Sequence, residues 1–527
     1  MNKFLQLVVT AMLIAMSVTA QTHEFTSADD GLIRLRSCRK GTPNPHFAPR
    51  RSRLFQEGES LYSGNRHQLV VLASFQDRPF QEDPDSALIK WDKIFNAENF
   101  NEDMFVGSVR DYFLAQSYGQ FNLKFDLVFV ELPDNARKYR STNNDDENSQ
   151  FMVQEIADSL QTQDIDWSLY DWDGDAFVDQ LLIIYAGEGM NATNKANTIW
   201  PHQWWLSQRM NQATADPTDY CSYRTVTHDG KEYYIDCYCC VQEKVNYGGL
   251  KSSFGIICHE FSHCFGFPDF YLEDGTSVVC DWDLMDNCYY LEHGFRPCGY
   301  SAFERMQMGW LTPIELTECT SITDMPALSD EPQAYLVRNE GAENEYYIIE
   351  NRQQRGWDEQ LPGSGILVFH VDYDKDIWSL PWEIPNHSNL KRYTIFPANN
   401  NSRYMAESGW AYPYVTVDSL GIETIANDKL TNTSKPAATL NNKNADGEKL
   451  MSKPITQMAV NADGLASFVF MDDESSSIHP ILMNTAEAQG QKCGIRDGWH
   501  LLDGRRLSGK PTTRGLYLYH GQKVFIP

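Results

Sequence analysis

Basic residues are in short supply. The 527-residue chain has 44 Lys and Arg against 72 Asp and Glu, a formal net charge of −28. So acidic a chain repels nucleic-acid phosphates and anionic lipid headgroups, and neither is expected as a partner. It suits a soluble exported protein kept apart from its neighbours by charge. Long apolar runs are scarce too. Phe4 to Val18 follows a positive Lys3 and ends in the small residues Val18-Thr19-Ala20, the pattern of a secretory signal peptide over 1–20. The run is too short for a membrane span, no later one reaches transmembrane length, and no Cys follows closely enough to carry a lipid anchor. The expectation is a mature protein that is secreted or at the cell surface, with no transmembrane segment. Zinc–thiolate spacing is also missing, because Cys237, Cys239 and Cys240 form a CxCC run without paired CxxC spacing.

What the chain does have is apolar mass and cysteine. Hydrophobic residues make up 42% and aromatics 13%, enough to fill sizeable cores rather than leave the chain disordered. The length allows about two to four domains of roughly 100–200 residues each. In an exported chain the 12 cysteines point to disulfides, and most of them lie between Cys221 and Cys298. Spacing does not give the connectivity, but it argues against two pairings. Cys258 and Cys264 stand about 240° apart around a helix. Cys239 and Cys240 point to opposite faces of a strand.

The chemistry concentrates in Cys258-His259-Glu260-Phe261-Ser262-His263-Cys264-Phe265-Gly266-Phe267-Pro268-Asp269. Residues four apart share a helix face, so His259 and His263 can aim both imidazoles at one point, as a zinc ion requires. Gly266 can leave the helix through a left-handed conformation and let the chain fold back, bringing Asp269 to the same metal as third ligand. Glu273, Asp274 or His293 would supply that ligand if the turn ran differently. Glu260 can take a proton from zinc-bound water. The bland alternative is a core helix with satisfied histidines, but Gly and Asp in phase behind HExxH are hard to obtain by accident. Downstream, Trp282-Asp283-Leu284-Met285-Asp286-Asn287 puts Met285 in a tight turn that can floor the site.

Along the chain, residues 21–65 are rich in Arg and Pro and read as a pro-segment or N-terminal extension. Cys38 within it is either a thiolate that caps the metal and keeps the enzyme latent, or a spare or disulfide-bonded cysteine. Order begins near Gln68–Phe75. Helical spacing over Asp103–Ser117 and Ser149–Leu160 alternates with strand patterns over Phe121–Phe129 and Gln180–Ala186, which implies a sheet with helices packed on it over 66–312. Tyr300–Trp310 reads as the closing helix of that domain. Asp171-Trp172-Asp173-Gly174-Asp175-Ala176-Phe177-Val178-Asp179 can wrap a calcium ion with Asp171, Asp173, Asp175, the Phe177 carbonyl and Asp179. It is not an EF-hand, which needs Gly at Ala176 and Glu at Leu182. From Pro313 short strands and turns indicate a β-sandwich-like domain over 313–472, where His370 and Asp372 read as hydrogen-bonding support. Residues 473–490 read as a linker, and 491–527 as a small β tail of three short strands.

The motif through Asp269, the WDLMDN turn, the DWDGDAFVD loop and Ile199-Trp200-Pro201-His202 together resemble the immune inhibitor A family, secreted bacterial zinc metallopeptidases of metzincin-like kind. The resemblance runs from about residue 66 to about residue 470 and takes in Glu350-Asn351-Arg352, Trp357-Asp358 and Gly365–Asp372. It implies zinc on His259, His263 and Asp269, Glu260 as general base, Met285 as Met-turn and a structural calcium loop. Where several metzincin families place a Tyr near the metal, this chain has Asn287, with Tyr289 and Tyr290 close by. The tail resembles the sorting domains of type IX secretion, which implies secretion machinery as a partner. The expected fold class is α+β, a zincin-like domain of mixed sheet and active-site helix followed by the β domain and tail. The expected function is zinc-dependent hydrolysis of protein or peptide substrates. The alternative is an exported calcium-stabilised binding or adhesion protein with an inactive zincin domain.

Overall fold

A computed structural model describes residues 61–140, 148–193, 198–207, 223–245, 252–378 and 384–472, with the strands Trp499–His500, Gly515–Tyr519 and Gln522–Ile526. The expected signal peptide, Cys38 and the 473–490 linker lie outside the described residues. The chain divides into two compact units. One runs to Thr312 and adds Gln353–Pro362 and Val371–Thr394; the other comprises Pro313–Arg352, Gly363–His370 and the chain from Ile395 on. The two added segments come from within the stretch 313–472 expected as one domain.

The first unit mixes helices and strands. Its strands are β1 (Gly64–Ser74), β2 (Phe121–Glu131), β3 (Phe177–Val178), β4 (Leu181–Glu188), β5 (His202–Trp205), β6 (Arg224–His228), β7 (Lys231–Ile235) and β8 (Cys237–Lys244). The main sheet has the order β2-β1-β4-β8-β5, parallel except where β5 runs antiparallel to β8. Its inner strands β1 and β4 are near-continuous apolar runs, Leu69–Ala73 and Leu181–Ala186, buried as central parallel strands must be. A small second sheet, β3-β7-β6, carries the end of the acidic loop.

The longer helices are α1 (Pro84–Asn96), α2 (Val109–Gln116), α3 (Ser149–Leu160), α4 (Phe254–Phe265) and α5 (Ala302–Gln307). Two are shorter than their apolar spacing suggests, and capping boxes set their starts. Ser108 and Asp111 exchange side-chain and backbone hydrogen bonds ahead of α2, as do Ser301 and Glu304 ahead of α5. Residues 103–107 and Tyr300 are therefore left outside the expected helices.

Helix α4 is buried on nearly every side. Phe261 packs on Phe113 and Phe125, and Phe265 on Phe113 and Phe121, each burial worth roughly 1.5–3 kcal/mol. Trp357, from one of the added segments, stacks on Phe254 at the helix start. Gly255 permits a close crossing there, because a Cβ would meet the Tyr289 carbonyl oxygen at 2.1 Å.

The second unit is mostly strand. β9 (Ile314–Glu315), β11 (Tyr335–Arg338), β12 (Glu345–Arg352) and β13 (Gly365–Asp372) lie side by side. β10 (Thr320–Met325), β14 (Ile455–Val460) and β15 (Ala466–Phe470) form a three-stranded antiparallel sheet. Met325, Phe468 and Phe470 share one core with Tyr347, Ile349 and Val368. His370 serves this unit structurally, its Nε2 lying 2.7 Å from Glu345 Oε1, a carboxylate that also accepts the Asn442 N–H. The three C-terminal strands pair antiparallel.

Candidate metal centre

Helix α4 presents His259, Glu260 and His263 from buried positions. It ends at Gly266, whose φ of +111° is left-handed and whose N–H donates to the carbonyls of Ser262 and His263. The chain then folds back, and Asp269 Oδ1 comes to 3.3 Å from His259 Nε2 and 3.2 Å from His263 Nε2. Each imidazole is oriented through its other nitrogen. His259 Nδ1 lies 2.8 Å from the Leu284 carbonyl oxygen, and His263 Nδ1 lies 2.7 Å from that of Phe267. A carbonyl only accepts, so both Nδ1 atoms carry hydrogen, and in the neutral rings both Nε2 atoms turn lone pairs toward Asp269. Asp269 Oδ1 is itself buried and has no hydrogen-bond partner. Three electron-rich atoms facing one another suit a shared metal ion, or a proton on an imidazole in its place. A tetrahedral zinc with bonds of about 2.0–2.1 Å separates its ligands by roughly 3.3 Å, the spacing Asp269 Oδ1 has from each imidazole nitrogen. The residues fit the metal.

The Met285 turn holds this constellation from behind. Met285 is buried, its N–H donates to Asp283 Oδ1 at 2.9 Å, and its carbonyl accepts the Phe270 N–H at 2.8 Å. Asp286 anchors the approach to the turn by accepting the N–H groups of Val278, Val279 and Cys280. Asn386 donates to the Phe270 carbonyl at 2.6 Å, and Tyr393 donates to Asp283 Oδ2 at 2.9 Å. Both come from more than a hundred residues downstream and had no signature in the sequence. Tyr271 hydrogen-bonds Asp269, another contact the sequence did not suggest. Of the two tyrosines weighed earlier, Tyr289 lies with its ring centroid 4.4 Å from that of His259, while Tyr290 is exposed.

Electrostatics follow the geometry. Burial alone would raise Asp269, but the charge of His263 and the close approach of both imidazoles hold it well below the ordinary carboxylate range. Burial would lower His259, yet the Asp269 carboxylate beside it and the nearby Glu260 carboxylate bring it to about 9 in the metal-free protein. Burial raises Glu260, partly offset by the two histidines, and its carboxylate lies within 4.8 Å of their nitrogens.

Two of the other candidates for third ligand are engaged elsewhere. Glu273 accepts the Ser388 N–H and Asp274 accepts the Thr276 N–H within its own turn. His293 accepts the Ser252 N–H through its backbone carbonyl, a bond that does not involve its ring. In the acidic loop Asp171, Asp173 and Asp179 bring carboxylate oxygens within 4.8 Å of one another, and Asp171 Oδ1 is buried without a partner. Asp175 stands outside that group, its carboxylate accepting the Phe177 N–H at 2.8 Å, and Phe177 opens β3. One disulfide joins described residues, Cys288–Cys298.

Residues 76–311 match the family model described as immune inhibitor A peptidase M6, catalytic domain. The match supports a metallopeptidase. The matched span contains α4, Asp269, the Met285 turn and the acidic loop. No curated protein matches the chain. No helix among the described residues is long and apolar enough to cross a membrane.

Proposed function

We propose that the chain is a secreted zinc endopeptidase that hydrolyses peptide bonds of extracellular proteins. The observation that carries this reading is the convergence of two imidazole Nε2 atoms and the partnerless Asp269 oxygen on one point. His259, His263 and Asp269 would hold zinc, which when bound supplies a Lewis acid for the scissile carbonyl and makes a water acidic at neutral pH. Glu260 takes the proton of the attacking water on its carboxylate, a base strengthened by burial, and delivers it to the leaving amine nitrogen. Leu284 and Phe267 keep the imidazole protons on Nδ1, so both Nε2 lone pairs stay directed at the metal. An extended substrate can add along the outer side of β5, which pairs only with β8 among the described residues.

Asp171, Asp173 and Asp179 form the core of a structural calcium site in the same reading, with Asp175 shaping the loop rather than ligating. Export rests on the pattern of residues 1–20, and handling by secretion machinery on the strands of the tail.

Digestion of casein by the purified protein, after removal of the N-terminal extension, tests the proposal. Cleavage should stop with a zinc chelator and return with added zinc. Cleavage indifferent to the chelator, or a zinc-loaded protein that never cleaves, would overturn it. A protein that holds calcium but no zinc would instead be the binding or adhesion protein.

A further inference from the structure

The face of α4 that turns away from the histidines carries an unexplained cysteine. Cys264 follows His263 and lies four residues, one helical turn, after Glu260, with its Sγ 3.9 Å from the Glu260 carbonyl oxygen. It is partly exposed. On the strand beneath, side chains alternate, so Cys237 and Cys239 of β8 share one face of the sheet. Cys240 confirms the alternation, because its Sγ faces the other way and lies 3.5 Å from His202 Nδ1. Helix α4 packs on β8. Burial pushes the Cys264 thiol well above the ordinary thiol range, and the thiols of Cys237 and Cys239 lie close enough to it to affect its ionisation. All three are free thiols, and Cys237 and Cys239 are fully buried. Three thiols in mutual reach, only one with a path to solvent, is an arrangement suited to stepwise oxidation from outside.

We infer that Cys264 is the entry thiol of a second disulfide that ties the metal-binding helix to strand β8 through Cys237 or Cys239. The oxidant is a small-molecule disulfide, the common thiol oxidant of an oxidising compartment. The Cys264 sulfur attacks it, one small thiol leaves, and a mixed disulfide stands on Cys264. Cys237 or Cys239 then attacks the Cys264 sulfur and releases the second small thiol. Two protein thiols lose two electrons and two protons, and the small disulfide gains both to become two thiols. The crosslink closes a loop of about 25 residues and ties α4 to β8.

The full chain is equilibrated with oxidised glutathione, its remaining thiols are alkylated, and it is digested without reduction for mass mapping. A peptide containing Cys264 should be joined to the peptide carrying Cys237 and Cys239, beside the Cys288–Cys298 pair. In the variant with both Cys237→Ser and Cys239→Ser, Cys264 should instead be found as the mixed disulfide with glutathione, joined to no other cysteine. The oxidised wild type should also unfold at a higher urea midpoint than oxidised Cys264→Ser, with the difference gone after reduction. Complete alkylation of wild-type Cys264 while Cys288–Cys298 is intact, or its crosslinking to any other cysteine, would overturn the inference, and that result needs no variant to fold.

Discussion

The backbone N–H of Phe270 donates to the carbonyl of Met285 at 2.8 Å. That one bond joins the residue after Asp269 to the residue after Leu284, whose own carbonyl orients His259. The third ligand and the first are thus held by neighbouring peptide groups of a single turn. The site's precision comes from backbone, with Met285 filling the space beneath.

Asp269 should matter for the metal more than for the fold. Replacing it with Ala removes the oxygen between the imidazoles and leaves two ligands. Zinc affinity should fall by at least about 100-fold, the upper end of what loss of a mere supporting contact costs. Competition with a chromophoric chelator measures it. An affinity within a few-fold of wild type would assign the third ligand elsewhere.

Asn386 should matter for both. It is fully buried, its amide donates to the Phe270 and Tyr393 carbonyls, and its oxygen accepts the N–H groups of Arg392 and Tyr393. Asn386→Ala leaves these groups without partners and should cost roughly 2–3 kcal/mol in urea unfolding. Zinc affinity should drop about 10-fold as the Asp269 segment loosens. A loss below about 0.5 kcal/mol would contradict that bracing role.

The metal-free protein should lose stability as pH rises above neutrality. His259 is raised from its ordinary 6.5 to about 9, so its contribution is complete below about pH 6.5 and disappears as pH rises through about 9. Asp269 is shifted the other way, so its contribution persists above the ordinary carboxylate range and is lost only in strong acid. Between about pH 6.5 and 9 the decline should approach at most about 1.4 kcal/mol per pH unit, the value for one proton. Zinc should abolish it, since a metal on Nε2 replaces the proton. Urea titrations with and without zinc decide, and a flat metal-free profile would contradict the His259–Asp269 coupling.

Ala176 adopts φ +72°, a left-handed conformation that a Cβ resists, while its N–H donates to Asp171 and its carbonyl accepts the Tyr234 N–H. Ala176→Gly should stabilise the protein by about 1 kcal/mol. A destabilised variant would mean the strain is offset by contacts of the methyl group.

Much of the centre was legible from local spacing. The i, i+4 histidines, the left-handed Gly266 and the return to Asp269 are all encoded within a dozen residues, where helix geometry leaves few choices. Strands β1, β2 and β4 were legible from apolar runs or alternation, whereas β5 and β8, short or rich in cysteine, were not. The starts of α2 and α5 were misjudged because apolar spacing extends beyond the capping boxes at Ser108 and Ser301. What stayed hidden is carried by backbone groups or by distant chain. The carbonyls of Leu284 and Phe267 have no side-chain signature, and Asn386, Tyr393 and Trp357 belong to the first unit through segments far along the chain from the zinc motif. The meeting of Cys264 with Cys237 and Cys239 depends on how α4 lies on β8, which no spacing within either element reveals.

The most direct test of the whole account is Glu260→Gln, which keeps the shape of the side chain and removes its basicity. Zinc content and affinity should stay near wild type while casein cleavage falls by about 100-fold or more, in line with loss of a general base. Cleavage at the wild-type rate by a fully zinc-loaded Glu260→Gln protein would contradict it.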